Sequence, residues 1–249
     1  MSSPLYVSEM FSSIQGEGML AGRRQIFIRL TECNLDCSYC DTAFERCDTC
    51  RMETGPGFNA FDSIPQPLAL SAVLEKCATW IEQLPNAHHS ISLTGGEPLL
   101  SSNMLKEWLP ELRHKLPIHL ETNGTMHLAL ETVVQHLDYI SMDMKLPSTS
   151  GCTDNLWGLH RLFLKTAQGT DVSVKLVVGN ESTRDEILEA CDIITSVDRN
   201  IPLFLQPVTL AGGTVGITAV ALLRLQGIAS ARLPNVMVIP QMHKLLGVA

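Results

Sequence analysis

Cys33, Cys37 and Cys40 fall within eight residues in the spacing C-x3-C-x2-C. Thiolates bind soft and borderline metals, and short loops let them converge on one centre. A closed tetrahedral site takes four protein ligands, so three leave one position open for a small molecule. An iron–sulfur cluster held by three thiolates matches that count, since the usual protein set is four. Structural zinc competes with it. Cys37-x2-Cys40 and Cys47-x2-Cys50 form two C-x2-C pairs that would close a tetrahedron. The gap between those pairs is shorter than common zinc spacings, and Cys33 would be left over. Cys77, Cys152 and Cys191 have no partner nearby in sequence and read as small buried hydrophobes.

A second chemical signal is TGGEP at 94–98, directly after the apolar run SISLT. Gly95 and Gly96 let the backbone approach a ligand closely, Glu97 can accept hydrogen bonds from an amine, and Pro98 gives a rigid exit. Other polar side chains alternate with apolar ones. Ser141, Asp143 and Lys145 share one face of YISMDMK, His119, Glu121 and Asn123 one face of IHLETNG, and Gln206 shares a face with Phe204. Lying near the C-terminal ends of strands, these sets could line the mouth of a barrel; solvent-facing positions on an open sheet are the plainer reading.

The elements that must position these groups alternate in period. Strand-like runs are expected at 25–30, 90–94, 117–122, 139–145, 172–178 and 202–208, with helical patterns near 71–84, 103–116, 127–137, 156–167, 184–197 and 216–230. Pro110 is expected to divide the second helix. This alternation predicts an α/β chain with a parallel sheet and helices outside. Six units are too few for a closed eight-stranded barrel, so a partial, open (β/α)6-type barrel is expected, as one domain over 1–249. The cysteines occupy a loop at 31–42, and 43–68, rich in Gly, Pro and polar residues, reads as an irregular insertion. The net charge of −8 argues against a broad nucleic-acid surface. MSSPLYVSEM lacks the pattern of a signal peptide, and no apolar run reaches the length of a membrane span. A reducing cytoplasm is therefore expected, where clustered cysteines mean metal or redox chemistry before disulfides.

C-x3-C-x2-C followed by TGGEP resembles the radical S-adenosylmethionine (SAM) enzymes. FSSIQGEG (11–18), ECNLDCSYCDT, LTGGEP, ETNG (121–124), SMDMKLPSTSG (141–151), LQPV (205–208) and PQMHK (240–244), in that order, make the chain similar to the 7-carboxy-7-deazaguanine synthase family over nearly its whole length. The resemblance implies a trimmed barrel carrying a 4Fe–4S cluster on Cys33, Cys37 and Cys40, with SAM on its open iron. SAM would also meet Gly95, Gly96, Glu97, Asn123, Ser141 and Lys145. It implies conversion of 6-carboxy-5,6,7,8-tetrahydropterin to 7-carboxy-7-deazaguanine and ammonia, with Mg2+ at Thr42. Gln15, Glu17, Arg29, Thr94, Gln206 and His243 would hold the substrate. Gln15 and Glu17 suit the edge of a pterin, and the planar fork of Arg29 suits its carboxylate; an ion pair with a local acid is the plainer role for Arg29. Gln241 and His243 are expected on one strand face. A homodimer and an electron donor such as flavodoxin or ferredoxin are further implied. A glycyl-radical activase, or a zinc-stabilised binding protein with no radical chemistry, would share part of this pattern.

Overall fold

The computed structural model describes residues 3–40, 42, 45–152, 155–210 and 212–248. Ten strands form one sheet: β1 (Val7–Ile14), β2 (Arg24–Leu30), β3 (Thr49–Glu53), β4 (Phe61–Pro65), β5 (Ser90–Gly95), β6 (Ile118–Thr122), β7 (Tyr139–Asp143), β8 (Asp171–Val178), β9 (Leu203–Pro207) and β10 (Val236–Val238). The helices are α1 (Leu70–Gln83), α2 (Ser102–Arg113), α3 (His127–Glu131), α4 (Pro147–Ser150), α5 (Trp157–Thr166), α6 (Arg184–Val197), α7 (Ala219–Ser230) and α8 (Met242–Leu246). The strand order is β10-β9-β8-β7-β6-β5-β2-β1-β3-β4, a sheet with two ends and therefore open. From β2 through β5 to β9 every pairing is parallel, giving the six expected barrel strands.

Alternation divides the sheet into two faces. Ile26, Ile28, Ile91, Leu93, Ile118, Leu120, Ile140, Met142, Val174, Leu176, Leu203 and Leu205 point into the core with Trp80 and Trp108. The intervening residues are mostly polar, and side chains from both ends of the sheet meet in one cavity. That resolves the two readings of the alternating polar sets: they face the inside of a curled sheet, with the helices packed on the apolar side.

Four strands were not expected. β1 pairs antiparallel with β2, and β3 and β4 form a hairpin that extends the sheet beyond β1. The insertion at 43–68 is thus half ordered sheet; its polar outer faces hid the period, while Cys50 and Met52 bury the inner one. β10 has three residues, too short to show a period. Pro110 does not divide α2. It sits in the last turn, one hydrogen bond is forgone there, and Leu109 and Leu112 still pack on the core. The pattern at 127–137 resolves into α3 and a separate 3-10 turn at Val134–His136. Residues 242–246 form α8, so Gln241 and His243 share no strand face.

Candidate active site

The cavity has a volume near 980 Å³, the size of a small-molecule site. Cys33, Cys37, Cys40, Thr42, Thr94, Gly95, Gly96, Asn123, Ser141 and Lys145 line it, with Gln15, Glu17, Arg29, Gln206 and His243. Glu97 stands behind this wall and is fully buried. Its Oε1 accepts the Leu99 N–H at 3.0 Å and its Oε2 that of Asn123 at 2.8 Å, while the Thr122 hydroxyl donates to both. Burial pushes its carboxyl up, and these bonds pull it back to about 6. In this structure Glu97 fixes the strand-end backbone of β6.

The glycines of TGGEP serve a related purpose. A Cβ on Gly95 would stand 2.2 Å from the Leu30 carbonyl oxygen, and one on Gly96 1.8 Å from that of Glu32. Gly95 also has φ +116°. The turn therefore packs against the backbone leading into the cysteine loop, and the Glu97 N–H donates to the Glu32 carbonyl at 2.8 Å. The close approach is to the chain itself.

The thiols meet different surroundings. The Cys33 sulfur accepts the Leu35 N–H at 3.5 Å. Burial pushes Cys37 up to about 12 despite Lys145 nearby, so its thiol needs a metal to ionise. The two cysteines of the second pair part company: Cys47 lines the cavity, whereas Cys50 is fully buried in the core and pushed up to about 12. Cys50 thus faces the core, away from the cavity that Cys37, Cys40 and Cys47 line. Cys77 and Cys191 are buried as expected; Cys152 is not, since its Sγ lies 4.0 Å from that of Cys37. Among the described residues, no three His, Cys, Asp or Glu side chains stand ready for a single metal ion.

A row of charges on largely buried side chains, 9–17% exposed, crosses the cavity and was missed as a unit. Lys145 contacts the Asp143 carboxylate at 2.9 Å, Asp143 contacts Lys175 at 3.1 Å, and Lys175 contacts Glu17 at 2.5 Å. Asp143 and Lys175 are register partners on β7 and β8, a signal that strand pairing, not sequence spacing, reveals. The Glu17 Oε1 accepts from Gln206 at 3.1 Å and Gln241 at 2.7 Å. Burial would raise the Glu17 carboxyl, but Lys175 and the Gln241 amide hold it at about 2. Burial likewise opposes charge on Asp143 and Lys145, yet each holds the other ionised. Asp143 lines the cavity, and its Oδ1 is buried without a hydrogen-bond partner.

At the other wall Gln15 donates to Glu121 at 3.0 Å, and Arg29 meets Glu9 at 3.5 Å. The Arg29 Nη1 also faces the Thr42 hydroxyl, 3.5 Å away. So Arg29 has its local acid and lines the cavity as well. His243 packs on Gly16, where a Cβ would come within 2.1 Å of its Nδ1, and α8 is tied there by the Met242 N–H donating to the Gly16 carbonyl at 3.0 Å.

The Radical SAM superfamily pattern matches residues 28–205. A 7-carboxy-7-deazaguanine synthase from Geobacter sulfurreducens is 51% identical over 249 residues, with 99% of both chains covered. The chain belongs to the 7-carboxy-7-deazaguanine synthase family of radical SAM enzymes. A family member from Methanothermobacter thermautotrophicus is 33% identical, covering 97% of this chain and 96% of its own. The crystal structure of QueE from Escherichia coli shares the fold, with a TM-score of 0.58 at 20% identity over 96% of this chain and 94% of that one. Membership in the family implies SAM and a 4Fe–4S cluster. The residues fit both: three thiols line one cavity, and a buried carboxylate oxygen beside them waits for a donor.

Proposed function

We propose that the chain converts 6-carboxy-5,6,7,8-tetrahydropterin to 7-carboxy-7-deazaguanine and ammonia, in 7-deazapurine biosynthesis of the queuosine type. The observation that carries this reading is the full-length 51% identity to a protein of that name. Cys33, Cys37 and Cys40 would hold the cluster. Held there, the cluster with SAM would supply radical chemistry for hydrogen abstraction at C6 of the substrate.

The chain's own residues orient and screen. Lys145, largely buried and charged, would hold the carboxylate of SAM, and Gly95, Gly96, Asn123 and Ser141 line the cavity with it. Glu97 acts on it through the Asn123 backbone. At the opposite end Glu17, ionised and fixed by Lys175, Gln206 and Gln241, accepts from the pterin edge, with Gln15, Thr94 and His243 around it. Arg29 and Thr42 are close enough to share one anion. A magnesium ion on the Thr42 hydroxyl would then meet the substrate carboxylate opposite Arg29, as a template for the ring contraction.

The test is an anaerobic assay of the reconstituted chain with SAM, a reductant (dithionite, then a flavodoxin or ferredoxin), magnesium and 6-carboxy-tetrahydropterin. Product and ammonia should form in equal amounts over many turnovers with SAM regenerated. SAM consumption that ignores the pterin would overturn the reading in favour of another radical reaction. We expect a cytoplasmic homodimer, so sedimentation should give twice the 27.3 kDa chain mass.

A further inference from the structure

Cys152 is half-buried beside Cys37 rather than in the core. Its Sγ is 4.0 Å from the Cys37 Sγ, within reach of a sulfur hydrogen bond. The contact is held by the two loops that carry it. Ser38, next to Cys37, donates its N–H to the Ser150 carbonyl at 2.8 Å and its hydroxyl to the Thr149 carbonyl at 2.7 Å. The Ser150 hydroxyl accepts the Cys152 N–H at 3.2 Å. Gly151 turns the chain between them at φ +70°, a conformation that favours glycine. The cysteine loop and the segment after β7 are thus pinned where the two thiols meet.

As a thiolate on iron, Cys37 carries no proton, so the single S–H of the pair belongs to Cys152. We propose that Cys152 donates an S–H···S hydrogen bond to the cluster-bound sulfur of Cys37 and thereby raises the reduction potential of the cluster. This rests on Cys33, Cys37 and Cys40 being its ligands. Cys152 is a positioning residue, acting on the cluster through Cys37. A donor on a ligand sulfur withdraws charge and favours the reduced state, which carries one more electron. Cys33 is treated in the same way, by the Leu35 N–H at 3.5 Å and the Asn123 amide at 4.0 Å. Among the described residues Cys40 has no such donor: its thiol points at the Thr42 carbonyl, 3.7 Å away, and that proton leaves when iron binds. The thiol at 152 shifts the poise of the cluster toward acceptance of an electron from a carrier, which is the step that radical formation awaits.

The experiment is an electron paramagnetic resonance redox titration of the reconstituted full chain, in wild type, Cys152→Ala and Cys152→Ser. Cys152→Ala should lower the midpoint potential with iron and sulfide content unchanged. Cys152→Ser, which keeps a donor, should stand above the alanine variant and at or near the wild-type midpoint. Electron–nuclear double resonance after transfer to deuterated water adds a signature that fold damage would not mimic. One exchangeable coupling, additional to those of the Leu35 and Asn123 N–H groups at Cys33, should be present in wild type and serine and absent in alanine. An alanine variant with full cluster, wild-type midpoint and that additional coupling intact overturns the proposal. If alanine holds no cluster, the serine variant decides: a full cluster with the additional coupling supports the donor, and loss of the cluster there too overturns it. A wild-type chain that takes up no cluster overturns the ligand reading itself, an outcome distinct from every result of the Cys152 series.

Discussion

Arg29 carries the sharpest prediction at the scale of single residues. A planar fork that grips a carboxylate cannot be replaced by a point charge. Arg29→Lys should raise KM for the carboxy-pterin roughly ten- to hundredfold, since charge-assisted bonds contribute about 1.5–3 kcal/mol. The SAM-induced change in the cluster spectrum should stay as in wild type, and steady-state kinetics beside that spectrum checks both. Glu97 behaves differently because every lone pair it uses goes to the protein. Its carboxyl rises from 4.5 to about 6 on folding. The native state then binds the proton more tightly, so this contribution is fully present below pH 4.5 and lost as pH rises through 6, a change of about 2 kcal/mol. Glu97→Gln should remove that dependence, and its new N–H groups would face existing donors at a cost of about 1–3 kcal/mol. Urea unfolding between pH 4.5 and 7 reads both effects. Sequence led to the expectation that Glu97 meets the cofactor. It could not show that the side chain works from behind the wall, because that depends on Thr122 and Asn123, which a separate strand delivers.

Elements explain what was legible and what was not. The six barrel strands announced themselves because one face had to be apolar for the helices and the other polar for the cavity. β1 and the β3–β4 hairpin escaped notice because their outward residues are polar and interrupted by turns, and only pairing with β2 gives them a period. Cys152 was misread for the same reason: its partner lies 115 residues away. The TGGEP turn gives an element-scale prediction. Gly96→Ala would drive a methyl into the Glu32 carbonyl, and the loop entering Cys33 must move. Iron content after reconstitution should fall well below wild type while the far-ultraviolet spectrum persists. A second concerns α5, whose His160 is fully buried, with at most a weak contact to the Asn123 backbone. Burial drives it down to about 4, against the opposing pull of Asp143. The unfolded state therefore binds its proton first, and stability should drop as pH falls from 6.5 towards 4, by on the order of 3 kcal/mol. His160→Leu should flatten that slope in denaturant titrations at pH 7 and 5; an unchanged slope would sink the assignment.

The molecule as a whole keeps its two tasks on opposite faces of one sheet. Trp80, Trp108 and the aliphatic residues of the strands form the core, and the cavity takes nothing from it. The cysteine loop is anchored by backbone bonds from Gly96 and Glu97 that involve no thiol. The chain should consequently fold before it is loaded. Removing the cluster should lower the melting temperature, as loss of any native-state ligand does, and leave the secondary-structure signal intact. Collapse of that signal on cluster loss would show that the cluster, rather than the core, holds the sheet together.

Lys145, Asp143, Lys175 and Glu17 form a row of alternating sign. Such a row has parity. Taking out Lys175 alone leaves two carboxylates against one ammonium in a buried place, a loss of about 3–5 kcal/mol for a broken buried pair. Taking out Lys175 and Glu17 together leaves Lys145 with Asp143 and an even count. The double variant should therefore be more stable than Lys175→Met, although it has lost more contacts. Change along this row can proceed by neighbours in twos, and a lone exchange at any of the four positions calls for its complement next door.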